Sequence, residues 1–372
     1  MPNDLEIVLD GSSGEGGGQI LRTALSLATI TGKSFRVHRI RANRIKPGLR
    51  PQHREAARAA ARLCDAEVEG CEVGSSRLVF RPRTRAAPGT HSFDIGTAGS
   101  APLLFQTLCF PLALAGGRSE LTLRGGTHQQ YSPTFHYLAL VWAPAMARLG
   151  FGFALEMQEA GFYPEGGGVI TATIDPAHAM PPLDLRHRGT LGEVQAVAMV
   201  GGLSSEISDR MAARASRALR DIGVLADTTR VPVPARISAG AHLLVVASFE
   251  RARAGCGAVG DRTAAPERVA DEAVKEMQAF LAGGAAVDRH LADQLLLPAA
   301  LGAAGLLQPP PGVVPSTRYT VAAVTKHLTT NAEVIRRFLD VEISIIGREG
   351  EEGQVRVQPP GASGEVVRLP PT

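Results

Sequence analysis

Four stretches of the chain carry residue types that could do chemistry together. Five of the eight residues from Gly11 to Gly18 are glycine, and the run continues Gln19-Ile20-Leu21-Arg22. A glycine loop that feeds a helix N-terminus offers backbone amides and the positive end of the helix dipole to an anion. Glu15 inside that loop would repel a phosphate unless a divalent cation lay between them. The loop is not a dinucleotide fingerprint, because Gln19 stands where the third glycine belongs. Nor is Gly32-Lys33-Ser34 a P-loop, because the upstream glycine is replaced by Leu27. The second stretch is basic. Arg36, Arg39, Arg41, Arg44, Lys46, Arg50, Arg54 and Arg58 fall within 23 residues against one acid, Glu55. Arg54 and Arg58 share a helix face, and clustered guanidiniums suit bidentate recognition of phosphate. The third is His327 in Thr325-Lys326-His327-Leu328-Thr329-Thr330-Asn331, a segment between strand and helix where reactive groups are commonly held. The fourth is Asp293-Gln294, a polar pair inside the apolar run from Leu291 to Leu297, with a carboxylate that could face a metal or a ribose.

The elements that must hold these residues follow from periodicity. Leu5 to Leu9 reads as a strand, Ile20 to Ile30 as a helix and Phe35 to Ile40 as a strand. Pro51 opens a helix running to Cys64, and Ala66–Val73 with Leu78–Phe80 reads as a hairpin. The same β-α-β-α-β-β order recurs: a strand at Ser92–Ile95, a loop at Gly96–Ser100, a helix at Leu103–Ala115, and a strand at Glu120–Leu123. A helix at Phe135–Leu149 kinked by Pro144 follows, then strands at Phe151–Met157 and Val169–Ile174. Glu165-Gly166-Gly167-Gly168 echoes Glu15-Gly16-Gly17-Gly18, so an internal duplication of about 90 residues is expected. After Pro181-Pro182 the pattern changes to a strand (Glu193–Val200), a helix (Ile207–Ile222) and two strands (Arg230–Val233, His242–Phe249). Helices at Thr263–Ala282 and Leu291–Ala304, a strand at Tyr319–Val324, a helix at Asn331–Phe338, and strands at Val341–Ile346 and Gln354–Val357 complete a third, modified copy. The turn containing His327 is thus expected to precede its helix.

Composition sets the outer limits. The 372 residues are 44% hydrophobic and 20% charged, which is ordinary for a folded protein and excludes a disordered or collagenous chain. Net charge is only +3, but 35 of the 39 basic residues are arginine. The four cysteines, Cys64, Cys71, Cys109 and Cys256, lack C-x-x-C spacing, so free thiols in a reducing cytoplasm are expected rather than a zinc or disulfide framework. The ten histidines include no H-E-x-x-H, so a zinc hydrolase is unsupported. No signal peptide and no apolar run long enough for a membrane is expected.

With these residues in view the chain resembles the RNA 3′-terminal phosphate cyclases. The resemblance rests on D-G-S-S-G-E-G-G-G-Q-I-L-R from Asp10, I-R-A-N-R-I-K-P-G-L-R-P-Q-H from Ile40 and G-T-A-G-S-A-P-L-L-F-Q-T-L from Gly96. It continues in G-F-Y-P-E-G-G-G from Gly161, H-L-A-D-Q-L-L-L-P from His290 and K-H-L-T-T-N from Lys326. The segments occur in the family's order. Gly126 to Pro133 matches only loosely. The resemblance implies an α+β fold: a large domain of three β-α-β-α-β-β units over 1–185 and 263–358, a smaller α/β domain inserted at 186–262, and a disordered tail at 359–372.

It also implies an activity: ATP-dependent conversion of an RNA 3′-phosphate to a 2′,3′-cyclic phosphodiester through a histidine–AMP and an RNA-(3′)pp(5′)A intermediate. On this likeness His327 is the nucleophile. Gln106, His290, Leu291, Ala292, Asp293 and Gln294 contact ATP, and Glu15, Arg22, Arg41, Arg44 and Gln52 handle phosphates. Glu15 and Asp293 hold Mg²⁺ or Mn²⁺. His290 stands where the family often has a tyrosine able to stack on adenine. RNA with a 3′-phosphate end is the implied partner, in the cytoplasm, with the oligomeric state open, a homodimer included. The competing reading is a non-catalytic RNA-binding or ribosome-assembly protein on the same fold, which needs no nucleophile at position 327. A third, a phosphate-binding transferase on small metabolites, has less use for eight clustered cations.

Overall fold

Ile7–Asp10 and Phe35–His38, the latter with alternating burial, form two short parallel strands, β1 and β2, with the glycine loop and a helix between them. The computed structural model describes residues 6–260 and 264–362. The helix, α1 (Gln19–Thr31), buries Ile20, Leu21, Ala24, Leu25 and Ala28, each of the larger side chains worth about 1.5–3 kcal/mol. Pro51 opens α2 (Pro51–Cys64) at the expected residue, and β3 (Glu67–Glu69) and β4 (Leu78–Arg81) form the expected hairpin. A second set follows: β5 (Thr90–Asp94), α3 (Ala101–Ala113), β6 (Ser119–Gly125), α4 (Phe135–Tyr137), α5 (Ala143–Ala147), β7 (Phe153–Glu159) and β8 (Gly168–Ile174).

The helix expected over 135–149 is not continuous. A π-helical turn at Leu138–Trp142 separates α4 from α5. Pro144 has no N–H for the carbonyl of Leu140 and its ring crowds that carbonyl, and Arg253 Nη1 donates to it instead at 3.1 Å.

The remaining elements are β9 (Leu183–Leu185), β10 (Leu191–Gly201), α6 (Ser205–Asp221), β11 (Asp227–Val233), β12 (Gly240–Phe249), β13 (Arg253–Val259) and α7 (Pro266–Ala282). Then come α8 (Leu291–Gln294), α9 (Leu296–Ala303), β14 (Thr317–Val321), α10 (Lys326–Phe338), β15 (Glu342–Ile346) and β16 (Gly353–Gln358). They build four mixed four-stranded sheets, with strand orders β1-β2-β4-β3, β5-β6-β8-β7, β15-β16-β14-β9 and β11-β10-β12-β13. In the first three the earliest strand runs parallel to its neighbour and the other pairings are antiparallel. The architecture is mixed α and β, compatible with the α+β expectation. One large core joins the first three sheets through α1, α2, α3, α9 and α10. A second core lies between the β10–β13 sheet and α6 with α7.

Two expectations change. His327 is not in a turn ahead of its helix: α10 begins at Lys326, five residues earlier than expected, because Thr325 Oγ1 accepts from Leu328 N at 3.1 Å and caps it. The run from Leu291 is two helices, broken at Leu295. Strands β9 and β13 were not expected. The first residues of the expected strand at Leu5 and helix at Thr263, and most of the expected disordered tail at 359–372, lie outside the described residues.

Candidate active site

The glycine loop lies against α10. Gly14 has φ +57°, and a Cβ there would stand 1.8 Å from Thr330 Oγ1, so only glycine lets the loop approach. That approach carries Glu15 to His327. One Glu15 oxygen contacts the Arg44 guanidinium and the other contacts His327 Nε2.

His327 is fixed from its other side. Its Nδ1 lies 2.7 Å from Gln19 Oε1, and Gln19 Nε2 donates to Asp293 Oδ2 at 2.5 Å. One helical turn on, Thr23 Oγ1 donates to Asn331 Oδ1 at 2.7 Å, and Asn331 Nδ2 donates to the Asp293 carbonyl at 2.8 Å. The spacing explains the pairing: Gln19 and Thr23 are four apart on α1, His327 and Asn331 four apart on α10, so each pair shares a face. Two polar rungs therefore link the helices, and Asp293 holds both. Gln19 turns its NH₂ to Asp293 and its oxygen to His327, the orientation that an ionised Asp293, which only accepts, requires. The imidazole then carries a proton on Nδ1, and Nε2, which rests on Glu15, presents a lone pair to a substrate once that contact is released.

Around this point is a cavity of about 960 Å³, lined among others by Gly17, Gly18, Arg22, Arg41, Arg44 and Arg50. Helix α1 has no side-chain cap and no acid in its first turn, so its N-terminal amides suit an anion. Burial pulls the Arg22 guanidinium down to about 10 against the raising effect of Asp293 and Glu15. Burial, then the charges of Arg50 and Arg44, lowers Arg41, whose backbone is held at φ +54°. Arg41 Nη1 donates to the carbonyls of Lys46 at 2.6 Å and Gly48 at 3.2 Å. His53 is kept neutral: burial, then Arg22, Arg41 and Arg50, brings it down to about 3.

His327 is lowered, chiefly by burial, with Arg22, Arg44 and His290 adding to it and Glu15 opposing. Burial pushes Asp293 up to about 7, with His290 and Arg22 opposing. His290 is raised: burial disfavours its cation, but the Glu276 hydrogen bond at 2.9 Å and the Asp288 charge outweigh it. Asp288, buried, accepts from the backbone N–H of both His290 and Leu291 at 2.9 Å and so anchors the start of α8.

Of the residues expected from the sequence, Glu15, Arg22, Arg41, Arg44, Gln52, Gln106, His290, Asp293, Gln294 and His327 all line the cavity. Gln106 Nε2 donates to Gln294 Oε1 at 2.6 Å, and Gln52 Oε1 accepts from Ser100 N at 3.1 Å. Leu291 and Ala292 do not reach it; their side chains are in the core. The basic stretch is divided. Arg36 pairs with Glu6, Arg39 with Asp10, and Arg54 and Arg58 with Glu55, leaving Arg41, Arg44 and Arg50 on the cavity. Gln19, Asn331, His53 and Asp288 are site residues that sequence reading missed. Asn331 stood in a quoted motif, but its partner Thr23 is 308 positions away.

The carboxylates suit a divalent cation in part. Two carboxylates beside phosphate oxygens are the donor set Mg²⁺ or Mn²⁺ takes. Asp293 is a buried carboxyl whose ionised form a nearby cation would stabilise. Glu15 would have to exchange Arg44 or His327 for it.

A family model described as RNA 3′-terminal phosphate cyclase matches residues 13–345. An RNA 3′-terminal phosphate cyclase from Methylococcus capsulatus is 42% identical over 356 residues, covering 94% of this chain and 95% of that protein. One from Trichormus variabilis is 42% identical over 342 residues, covering 89% and 94%. One from Methanopyrus kandleri is 37% identical over 361 residues, covering 95% and 99%. Matches of this extent, over the segments that build the cavity, show that the chain belongs to the RNA 3′-terminal phosphate cyclase family.

Proposed function

We propose that this chain uses ATP to convert an RNA 3′-terminal phosphate into a 2′,3′-cyclic phosphodiester, with His327 as the nucleophile. The observation that carries the reading is the His327 imidazole at the cavity wall, its Nδ1 on Gln19 Oε1. That contact keeps a proton on Nδ1, so Nε2 is the attacking atom once it leaves Glu15. In the first step Nε2 bonds to the α-phosphorus of ATP and pyrophosphate leaves, giving a histidine–AMP phosphoramidate. Positive charge develops on the ring, and Gln19 Oε1 accepts the Nδ1–H more strongly as it does. In the second step an oxygen of the RNA 3′-phosphate bonds to that phosphorus and the P–N bond breaks, returning the lone pair to Nε2. In the third the neighbouring 2′-hydroxyl attacks the activated 3′-phosphate, loses its proton and expels AMP; this step is intramolecular, so orientation supplies much of its rate.

In this reading Arg22, Arg41, Arg44 and Gln52 bind phosphates, and Gln106, His290 and Gln294 bind the nucleoside end of ATP. Asp293 and Glu15 would hold a divalent cation, which when bound offsets phosphate charge. We further propose three repeated β-α-β-α-β-β units over 1–185 and 263–358 with a smaller domain at 186–262; the shared strand order of three sheets supports this, while α7 packs with the small sheet.

The test is covalent labelling with ATP carrying label on the α-phosphate, with Mg²⁺. Acid-labile, alkali-stable label on the denatured chain, absent from His327→Ala, is the expected outcome. A folded, ATP-binding wild type that takes up no label even with Mn²⁺ rejects the nucleophile and favours a non-catalytic RNA-binding role.

A further inference from the structure

Behind the far wall of the cavity three buried histidines meet. His128 lies in the segment that joins β6 to α4, His136 in α4 itself, and His242 comes from β12 of a different sheet. Their exposures are 0%, 8% and 1%. One nitrogen from each lies within 4.8 Å of the others. His128 Nε2 and His136 Nδ1 are 2.8 Å apart and can share only one proton. His242 Nδ1 is buried with no hydrogen-bond partner, and its Nε2 has only a long contact of 3.4 Å with Thr134 Oγ1. Three rings crowded in a protein interior with an orphaned nitrogen are a poor way to build a core. They are a good way to build a metal site, which needs neutral imidazoles with lone pairs converging on a point.

We propose that His128, His136 and His242 bind a divalent transition-metal ion, Zn²⁺ by the chemistry of its donors, tying the 127–136 segment to β12. All-imidazole donors suit zinc and its neighbours, not Mg²⁺ or Ca²⁺. Zinc–nitrogen bonds of about 2.0–2.1 Å put tetrahedral ligands about 3.3 Å apart. The pair at 2.8 Å need open only slightly, and the third nitrogen, within 4.8 Å of the others, need close by no more than about 1.5 Å. The outer support is present: Thr127 Oγ1 lies 2.8 Å from His128 Nδ1 and accepts from Gly161 N at 3.0 Å. That contact fixes the ring and leaves Nε2 for the metal, as orienting partners of ligating histidines do. Phe162 stacks on His128 at 5.6 Å and closes the inner side. All three histidines are held below their ordinary range, first by burial, so the donors are unprotonated at neutral pH.

Three protein ligands leave a fourth position. Of the three, only His242 lines the cavity, beside Thr134, Ser132 and Gln129. Gln129 Nε2 and Ser132 Oγ are themselves buried without partners. The fourth position therefore opens toward the cavity for water or a ligand oxygen. The proposal does not depend on the function assigned to His327.

The experiment strips the purified full chain of metal, adds back Zn²⁺, and counts bound zinc by elemental analysis. Co²⁺ replaces it as a visible-absorption probe of tetrahedral geometry. Wild type and His327→Ala should each hold one equivalent and gain thermal stability with Zn²⁺; His136→Gln and His242→Gln should lose both. X-ray absorption of zinc-loaded wild type should count three imidazole ligands, which decides the matter even if the histidine variants fail to fold. No tight zinc in folded wild type, zinc retained in folded His136→Gln, zinc lost in His327→Ala, or fewer than three imidazoles overturns the proposal.

Discussion

Replacing Gln19 by alanine tests whether the direction of the His327 lone pair is set by the rung beneath it. In the wild type Gln19 Oε1 lies 2.7 Å from Nδ1, with the amide's NH₂ on Asp293 on the other side. Attack on phosphorus turns a neutral ring into a cationic one. The hydrogen bond therefore strengthens toward the charge-assisted range, about 1.5–3 kcal/mol. Its loss should slow adenylylation by about 10- to 150-fold, and the freed ring can also adopt the tautomer with its proton on Nε2. The assay is single-turnover labelling with ATP carrying label on the α-phosphate. A structural role alone would not move the pH profile, so Gln19→Glu is the companion: a carboxylate against Nδ1–H stabilises the imidazolium and shifts the acid limb of the rate to higher pH. Gln19→Ala labelling within about threefold of wild type at saturating ATP, with Gln19→Glu leaving the acid limb where it was, would refute the reasoning.

Asp293 is raised from 3.8 to about 7 in the folded chain, so the folded state holds a proton that the unfolded state has released. Its contribution is present below about pH 4 and is lost as pH rises through 7; urea unfolding should show Asp293→Asn gaining stability over wild type at pH 8 but not at pH 4, and equal differences at both would sink the assignment. At Gly18 an added Cβ would stand 2.2 Å from His53 Nε2 and 2.7 Å from Arg22 Nη1. Gly18→Ala should therefore keep its fold and lose ATP affinity by about 5- to 150-fold, the 1–3 kcal/mol of an overpacked site; calorimetric titration reads it, and unchanged affinity counts against Arg22 as a phosphate ligand. Binding of a 3′-phosphorylated oligoribonucleotide should weaken with salt, and Arg50→Ala should reduce the log–log slope by about 0.7; an unchanged slope would remove Arg50 from the RNA path.

What the sequence revealed depended on how local each cause is. Pro51 starts α2 by its own ring geometry, and α1 shows its buried face in five apolar residues, so both were legible. The start of α10 was not, because the segment from Thr325 to Asn331 reads as a turn while Thr325 in fact caps the helix. The break at 138–142 could be expected from Pro144, but its form depends on Arg253 taking the Leu140 carbonyl. Strand β13 is rich in alanine and glycine and exists because β12 pairs with it. Strand β9 has three residues and finds its partner β14 more than 130 positions away. The arginine stretch looked uncompensated because Glu6, Asp10 and Glu15 lie outside it in sequence and beside it in space. Gln19 showed only as a misfit to a glycine motif; its use depends on Asp293, 274 positions on.

The α1–α10 contact shows why the nucleophile is held by packing and not by its own loop. Polar side chains between two helices are costly unless each donor meets an acceptor. Here Gln19 meets His327, Thr23 meets Asn331, and Asp293 receives the remaining donors of both amides. A slip of one helical turn, about 5.4 Å, would break both rungs, setting Gln19 against Asn331 or Thr23 against His327 and leaving the other two polar groups against apolar turns, while a row of leucines would tolerate it. The polar rungs thus specify one register between the helices. That register aims His327 Nε2 at Glu15 and the arginine-lined cavity, so the same contacts that fix how the two helices pack also fix which nitrogen of His327 faces the substrate side.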